Sequence, residues 1–181
     1  MMDARARSVA ALNAMPREEL AEHLAACCGS RQWVARMIAR RPFVSPDAVL
    51  ASSDTVCRSL SSDDWLEAFA HHPRLGEVSA AVPQGQRASS WAAGEQSGLA
   101  DAAEHLRAAL GAANALYEQQ FGYICIVNAT GKDSEELLAI TRARLGNSPA
   151  IELRIAAEEQ RKITRLRLQK LFHDAPGVRS A

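Results

Sequence analysis

The chain has 181 residues, the length of one ordinary domain and enough to bury a sizeable core. Apolar residues make up 48% and charged residues 23%, the balance of a globular protein rather than a disordered one. Lys plus Arg equals Asp plus Glu at 21 each, so the basic excess that phosphodiester binding draws on is missing and nucleic acid is not an expected partner.

The N-terminal stretch from Met1 to Leu20 has basic residues but no continuous apolar run and no signal-peptide cleavage pattern. No stretch of about 18 apolar residues occurs anywhere, so no membrane span is expected. The final residues, Gly177 to Ala181, do not form a peroxisomal address. Cysteines occur at 27, 28, 57 and 125, an arrangement with an adjacent pair and no C-x-x-C. Reduced thiols in a cytoplasm are the expected state.

In chain order, Pro16 followed by Arg17, Glu18 and Glu19 suits a first helical turn, because Pro tolerates that position and acids favour the positive end of the helix dipole. Leu20, Leu24 and Cys27 then share one face, and Gly29 supplies the stop. Ser30 caps a second helix that carries Trp33, Val34, Met37 and Ile38 and ends near Arg41-Pro42. Ser45-Pro46-Asp47 starts a third that runs to about Ser59. Ser62 or Asp63 starts a fourth, with Trp65, Leu66 and Phe69 inward, and Pro73 forces it to stop around His71. Residues 77–87, with Pro83 and Gly85, read as a loop.

Helix returns from about Ala88 to Ser97 and again from Ala100 to Gln120, where Leu99, Ala103, Leu106, Leu110, Ala113 and Tyr117 make an inward stripe. Residues 121–127 are the one segment that reads as extended, with Ile124, Cys125, Ile126 and Val127 behind a glycine. Asp133 or Ser134 caps a helix to about Leu145, and Ser148-Pro149 opens a last long one to about His173. An extended stretch without a partner makes no sheet. The expected class is therefore all-α, a single-domain bundle of about eight helices with one short extended segment, flanked by flexible tails at 1–7 and 174–181.

Four constellations can carry chemistry. The first is Ala70 to Glu77, where Pro73 holds His72 out of the helix and can aim its imidazole, the side chain best suited to proton transfer near neutrality, into a cleft. Taken alone, a helix stop with a surface His pair is the plainer reading. The second is Ser89 to Gly98, where Glu95 and Gln96 sit side by side among small residues that allow close approach; a solvated helix face is the plainer reading. The third is Phe121 to Ala129, an extended stretch whose backbone N–H and C=O groups need partners that a flat polar heterocycle can provide, as can side chains or water. The fourth is the cationic run Arg161 to Lys170, in which an Arg between Leu166 and Leu168 has the planar fork for an anionic ligand. No P-loop, dinucleotide fingerprint, nucleophile elbow or nucleophilic-cysteine signature is present, which removes the common cofactor-binding and nucleophile classes, and no metal-ligand spacing occurs among the scattered histidines.

In combination and in this order, these segments resemble the 2-oxo-4-hydroxy-4-carboxy-5-ureidoimidazoline (OHCU) decarboxylase family. The resemblance rests on Trp33 with Arg41-Pro42-Phe43, on His72-Pro73-Arg74-Leu75-Gly76, on Glu95-Gln96-x-Gly98 and on Phe121-Gly122-Tyr123 leading into Ile126. It continues through Arg144-Leu145-x-Asn147, Glu152 to Glu159, Lys162-Ile163 and Leu166-Arg167-Leu168, and so spans about residues 8–172.

The resemblance implies an all-helical, cofactor-free carboxy-lyase, often a homodimer, that converts OHCU to (S)-allantoin in uric acid catabolism. Its catalytic histidine falls on His72 and its active-site carboxylate on Glu95. Pro73, Gln96 and the stretch Cys125, Ile126, Val127, Asn128 and Ala129 fall on substrate-binding positions, and the family's arginine on Arg167. Some members carry Ser three residues before the Glu, where this chain has Ala92, which leaves one substrate contact to Ser89 or Ser90, or missing. Functional coupling to the upstream 5-hydroxyisourate hydrolase is a further expectation. The rivals are a non-catalytic helical interaction module and a metal-dependent hydrolase built on His71 and His72.

Overall fold

A computed structural model describes residues 4–76, 85–97 and 104–174. Nine helices lie in these residues: α1 (Ala4–Ala14), α2 (Arg17–Cys27), α3 (Arg31–Ile38), α4 (Pro46–Arg58), α5 (Ser62–Phe69), α6 (Gly85–Glu95), α7 (Glu104–Phe121), α8 (Ser134–Arg144) and α9 (Pro149–Asp174). No strand occurs among the described residues. The all-α expectation holds.

Two compact units divide the chain. Met1–Trp65 with Arg161–Ala181 forms one, and Leu66–Gln160 the other. In the first, α3 packs on α2 and on α4, and α1 packs on α4. Leu20, Leu24, Cys27, Trp33, Met37, Val49, Val56 and Cys57 are buried, and each fully buried large aliphatic or aromatic side chain contributes about 1.5–3 kcal/mol. The caps follow the sequence signals: Ser30 accepts from the Trp33 N–H at 3.2 Å and Ser45 from the Ala48 N–H at 3.1 Å, with Pro46 at the first helical position. Asn13 ties α1 to the turn after α3, donating to the Phe43 carbonyl and accepting from the Phe43 N–H, both at 2.8 Å. Asp54 accepts from Arg161 at 2.6 Å and from Arg165 at 3.0 Å, two arginines one helical turn apart on α9.

The second unit is centred on α7 and α8, which pack against each other around Leu75, Leu110, Ala113, Tyr117, Cys125, Val127, Ala129, Leu137 and Leu138. A capping box starts α8: Asp133 accepts from the Glu136 N–H at 2.9 Å, and Glu136 accepts from the Asp133 N–H at 3.0 Å.

Three details differ from the sequence reading. Helix α1 lies outside the elements that the sequence pattern predicts, because Val9 and Leu12 are its only buried apolar residues with a described environment; Ala and Arg propensity with docking on α4 makes it helical. Helix α6 starts at Gly85 rather than Ala88, because Ala88, Trp91, Ala92 and Glu95 form one buried stripe and a docked helix propagates readily by another turn. Helix α2 ends in extended backbone at Cys28 (φ −148°, ψ 123°) rather than through a left-handed Gly29. The loop expected at 77–84 and the helix start at 100–103 lie outside the described residues, as do 1–3 and 175–181 of the expected tails.

Candidate active site

Helix α5 ends at Phe69, and the chain turns through His71 and His72, whose N–H groups donate to Ala68 and Phe69 carbonyls at 3.3 and 3.0 Å. Pro73 then prevents helix from resuming. His72 and Pro73 are half-buried. The loop is anchored on α7: Arg74 and Glu118 make a two-point ion pair at 2.6 and 2.9 Å, and Asn114 donates to the Leu75 carbonyl at 2.9 Å. Gly76 has φ +82°, a left-handed turn that only glycine adopts at low cost, and its N–H donates to Gln96 Oε1 at 3.0 Å. That bond brings the loop to the C-terminal end of α6, where Glu95 is 8% exposed and Ala92 is buried.

The extended segment reaches the same neighbourhood. Tyr123 stacks at 5.3 Å from Phe69, three residues before His72, and at 5.9 Å from Tyr117. Leu75, three residues after His72, shares a hydrophobic cluster with Cys125, Val127 and Ala129. Residues 124–129 join no sheet; side chains take part of their backbone instead. Arg144 donates to the Ile126 carbonyl at 2.6 Å, the Asn128 N–H donates to Glu159 at 2.8 Å, and Lys132 donates to the Asn128 carbonyl at 2.7 Å.

Behind the segment lies a buried polar cluster to which the sequence reading gave no role. Glu152, fully buried, accepts from Arg144 Nε at 2.7 Å, from Asn147 Nδ2 at 2.7 Å and from the Tyr117 hydroxyl. Burial pushes the Tyr117 hydroxyl well above its usual range, and its bond to Glu152 adds to that. Burial alone would lower the Arg144 pKa, but Cys125, Glu152 and Tyr117 outweigh it and hold the guanidinium charged. Burial also raises the Cys125 thiol against the opposing pull of Arg144, and the residue packs in the hydrophobic cluster of this unit. Arg144, Asn147, Glu152 and Glu159 all stand in the family-like segments, yet nothing in a linear sequence marks an acid and a base eight residues apart as a buried pair.

Of the expected site residues, His72, Pro73, Ala92, Glu95, Gln96 and Cys125 to Ala129 lie in the second unit. Arg167 lies in the first, buried, with Nη1 donating to the Ala26 carbonyl at 3.4 Å. A cavity of about 510 Å³ borders the His72 loop, lined by Arg74, Leu75, Gly76, Arg107, Asn114 and Glu118 among others; none of the expected site residues lines it. Among the described residues, no three His, Cys, Asp or Glu side chains are grouped to hold a metal ion, and no helix is long and apolar enough to cross a membrane.

The profile of the OHCU decarboxylase family matches residues 13–169. The chain belongs to the OHCU decarboxylase family. Among curated relatives, it is similar to the uric acid degradation bifunctional protein TTL of Arabidopsis thaliana, 34% identical over 152 residues, which are 84% of this chain and 47% of that protein. It is also similar to the 2-oxo-4-hydroxy-4-carboxy-5-ureidoimidazoline decarboxylase of Amia calva, 42% identical over 59 residues, 33% of this chain and 34% of that one. The chain thus spans about half the length of the curated relatives it matches, or less. Among solved structures, an OHCU decarboxylase crystallised in the presence of (S)-allantoin superposes with a TM-score of 0.72 at 30% identity, covering 84% of this chain and 99% of that one. An (S)-allantoin synthase shares the fold at 19% identity, with a TM-score of 0.65 over 90% of this chain and 53% of that one.

Proposed function

We propose that this protein decarboxylates OHCU to (S)-allantoin without a metal or organic cofactor. Family membership names the reaction, and what supports the residue assignment is that the loop after His72 reaches both Gln96, at the end of α6, and the extended stretch 124–129. The interaction-module reading gains no comparable support.

OHCU carries a hydroxyl and a carboxylate on one ring carbon beside a C=N bond. As CO₂ leaves, the bonding pair delocalises into the conjugated ring, so the substrate is its own electron sink. The protein then has to hold the substrate, strip water from the carboxylate and deliver one proton to one face. In this reading His72 handles the proton, Glu95 orients the hydroxyl or ureido group, and Gln96 with the backbone of Cys125 to Ala129 reads the ring and ureido edges. Pro73 and Ala92 shape the wall, and Arg167 holds a carbonyl or carboxylate oxygen. The family profile runs through both compact units, which supports treating the chain as one decarboxylase-like domain. A cytoplasmic homodimer, functionally coupled to the hydrolase that supplies the unstable substrate, belongs to the same proposal, and sedimentation velocity measures the dimer directly.

The uncatalysed reaction gives racemic allantoin, so stereochemistry is the decisive readout. OHCU generated in situ is followed by circular dichroism, with and without protein. Fast appearance of optically active (S)-allantoin in the presence of a chelator is the expected result. Racemic product at an unchanged rate would sink the assignment.

A further inference from the structure

In an extended backbone the N–H and C=O of one residue point to the same edge, and those of the next residue point to the opposite edge. The segment around Val127 shows this alternation in what holds it. Side chains of Cys125, Val127 and Ala129 enter the hydrophobic cluster. The backbone of Ile126 and Asn128 is taken by three charged side chains: Arg144 on the Ile126 carbonyl, Glu159 on the Asn128 N–H and Lys132 on the Asn128 carbonyl. Between these two residues, neither the N–H nor the C=O of Val127 has a hydrogen-bond partner among the described residues, although the residue is only 7% exposed. An unmet backbone pair in a buried residue carries a free-energy cost that a bound ligand with the complementary pair relieves.

The clamp on the opposite edge is itself braced by hydrogen bonds. Arg144 donates to Glu152, whose other oxygen accepts from Asn147, and Tyr117 donates to the same carboxylate. Glu152 and Glu159 stand seven residues apart on α9, on one face and roughly 10 Å apart along the axis. One helix thus fixes both ends of the clamp, at Glu159 directly and at Ile126 through Arg144.

We infer that Arg144, Glu152, Glu159 and Lys132 are positioning residues: they hold one edge of residues 126–128 so that the Val127 N–H and C=O, on the other edge, meet the adjacent acceptor and donor of a cyclic amide or ureide. None of the four touches the reacting carbon. The inference rests on the decarboxylase reading and extends it to ring-edge recognition. Because such contacts are made equally in the ground state and the transition state, their loss raises KM and leaves kcat in place.

The test compares wild type, Arg144→Lys and Glu159→Gln by OHCU kinetics and by calorimetric titration with (S)-allantoin, which keeps the ureide edge. Lysine can reach the Ile126 carbonyl or Glu152 but lacks the fork that spans both. Arg144→Lys is therefore expected to raise KM and the allantoin Kd about tenfold, with kcat within about twofold of wild type. Glu159→Gln keeps an acceptor for the Asn128 N–H but loses its charge, and about a threefold rise in both constants is expected. If Arg144→Lys fails to fold, Glu159→Gln alone decides. A structural role without positioning would lower the apparent kcat through a smaller active fraction, with KM and Kd unchanged; that result overturns the inference while leaving the decarboxylase reading intact. A wild type that does not accelerate OHCU loss overturns the decarboxylase reading and this inference with it.

Discussion

At the scale of single residues, His72 illustrates how a local sequence signal points to the proposed site. Its neighbour Pro73 ends α5 and holds the imidazole off the helix, a consequence of ring sterics that requires no knowledge of the fold. What the sequence cannot supply is the anchoring of that loop by Arg74 on Glu118, Asn114 on Leu75 and Gln96 on Gly76, each bond joining residues 20 to 44 positions apart. A positioned acid–base group contributes about 10²–10⁴-fold to rate, so His72→Ala is expected to lose kcat by that range. Its far-UV dichroism and urea midpoint should match wild type. Retained turnover would remove His72 from the proton-transfer role. The buried pair of Arg144 and Glu152 is the opposite case, since each looks like an ordinary helix-surface charge until the fold encloses it.

At the scale of elements, helix starts were the most legible features, because a cap is a contact between residues three apart. Ser30, Ser45 and Asp133 all accept the N–H bond that their side chains suggest. The capping box at α8 has added weight, since Lys132 immediately before it holds the Asn128 carbonyl. Asp133→Ala removes the acceptor and is expected to cost about 1 kcal/mol, read as a lower urea midpoint at unchanged m-value. A midpoint equal to wild type would show that water satisfies the exposed N–H groups equally well. The existence of α1 and the start of α6 are not legible in the sequence for a related reason. Their boundaries depend on docking of a short stripe, and docking is invisible in a local window.

At the scale of the whole molecule, buried neutral groups shape the response of stability to pH. Burial, with Cys28 adding to it, pushes the Cys57 thiol from 9.0 up to about 12. Burial likewise raises the Tyr117 hydroxyl above 10.0. In both cases the unfolded chain gives up its proton first, so folding keeps its full stability below the unfolded pKa and loses it as pH rises toward the folded one. Urea midpoints should therefore be flat up to about pH 8.5 and fall from about pH 9 toward pH 12, with a shallower fall in Cys57→Ala. A profile level to about pH 11 would show that these groups titrate alike in both states.

The sequence by itself determined the class, the helix starts, the break at Pro73, the lone extended stretch and, through motif order, the family. These depend on propensity, capping and steric restriction, which act over a few residues, and on a pattern that survives as text. Only the tertiary structure decided that Gln96 meets Gly76 and that residues 126–128 are held by side chains rather than by a sheet. It also decided that Arg144, Tyr117, Asn147 and Glu152 close into one buried cluster. Those outcomes turn on desolvation and on hydrogen-bond geometry between residues brought together by packing, and neither quantity exists until the chain has folded.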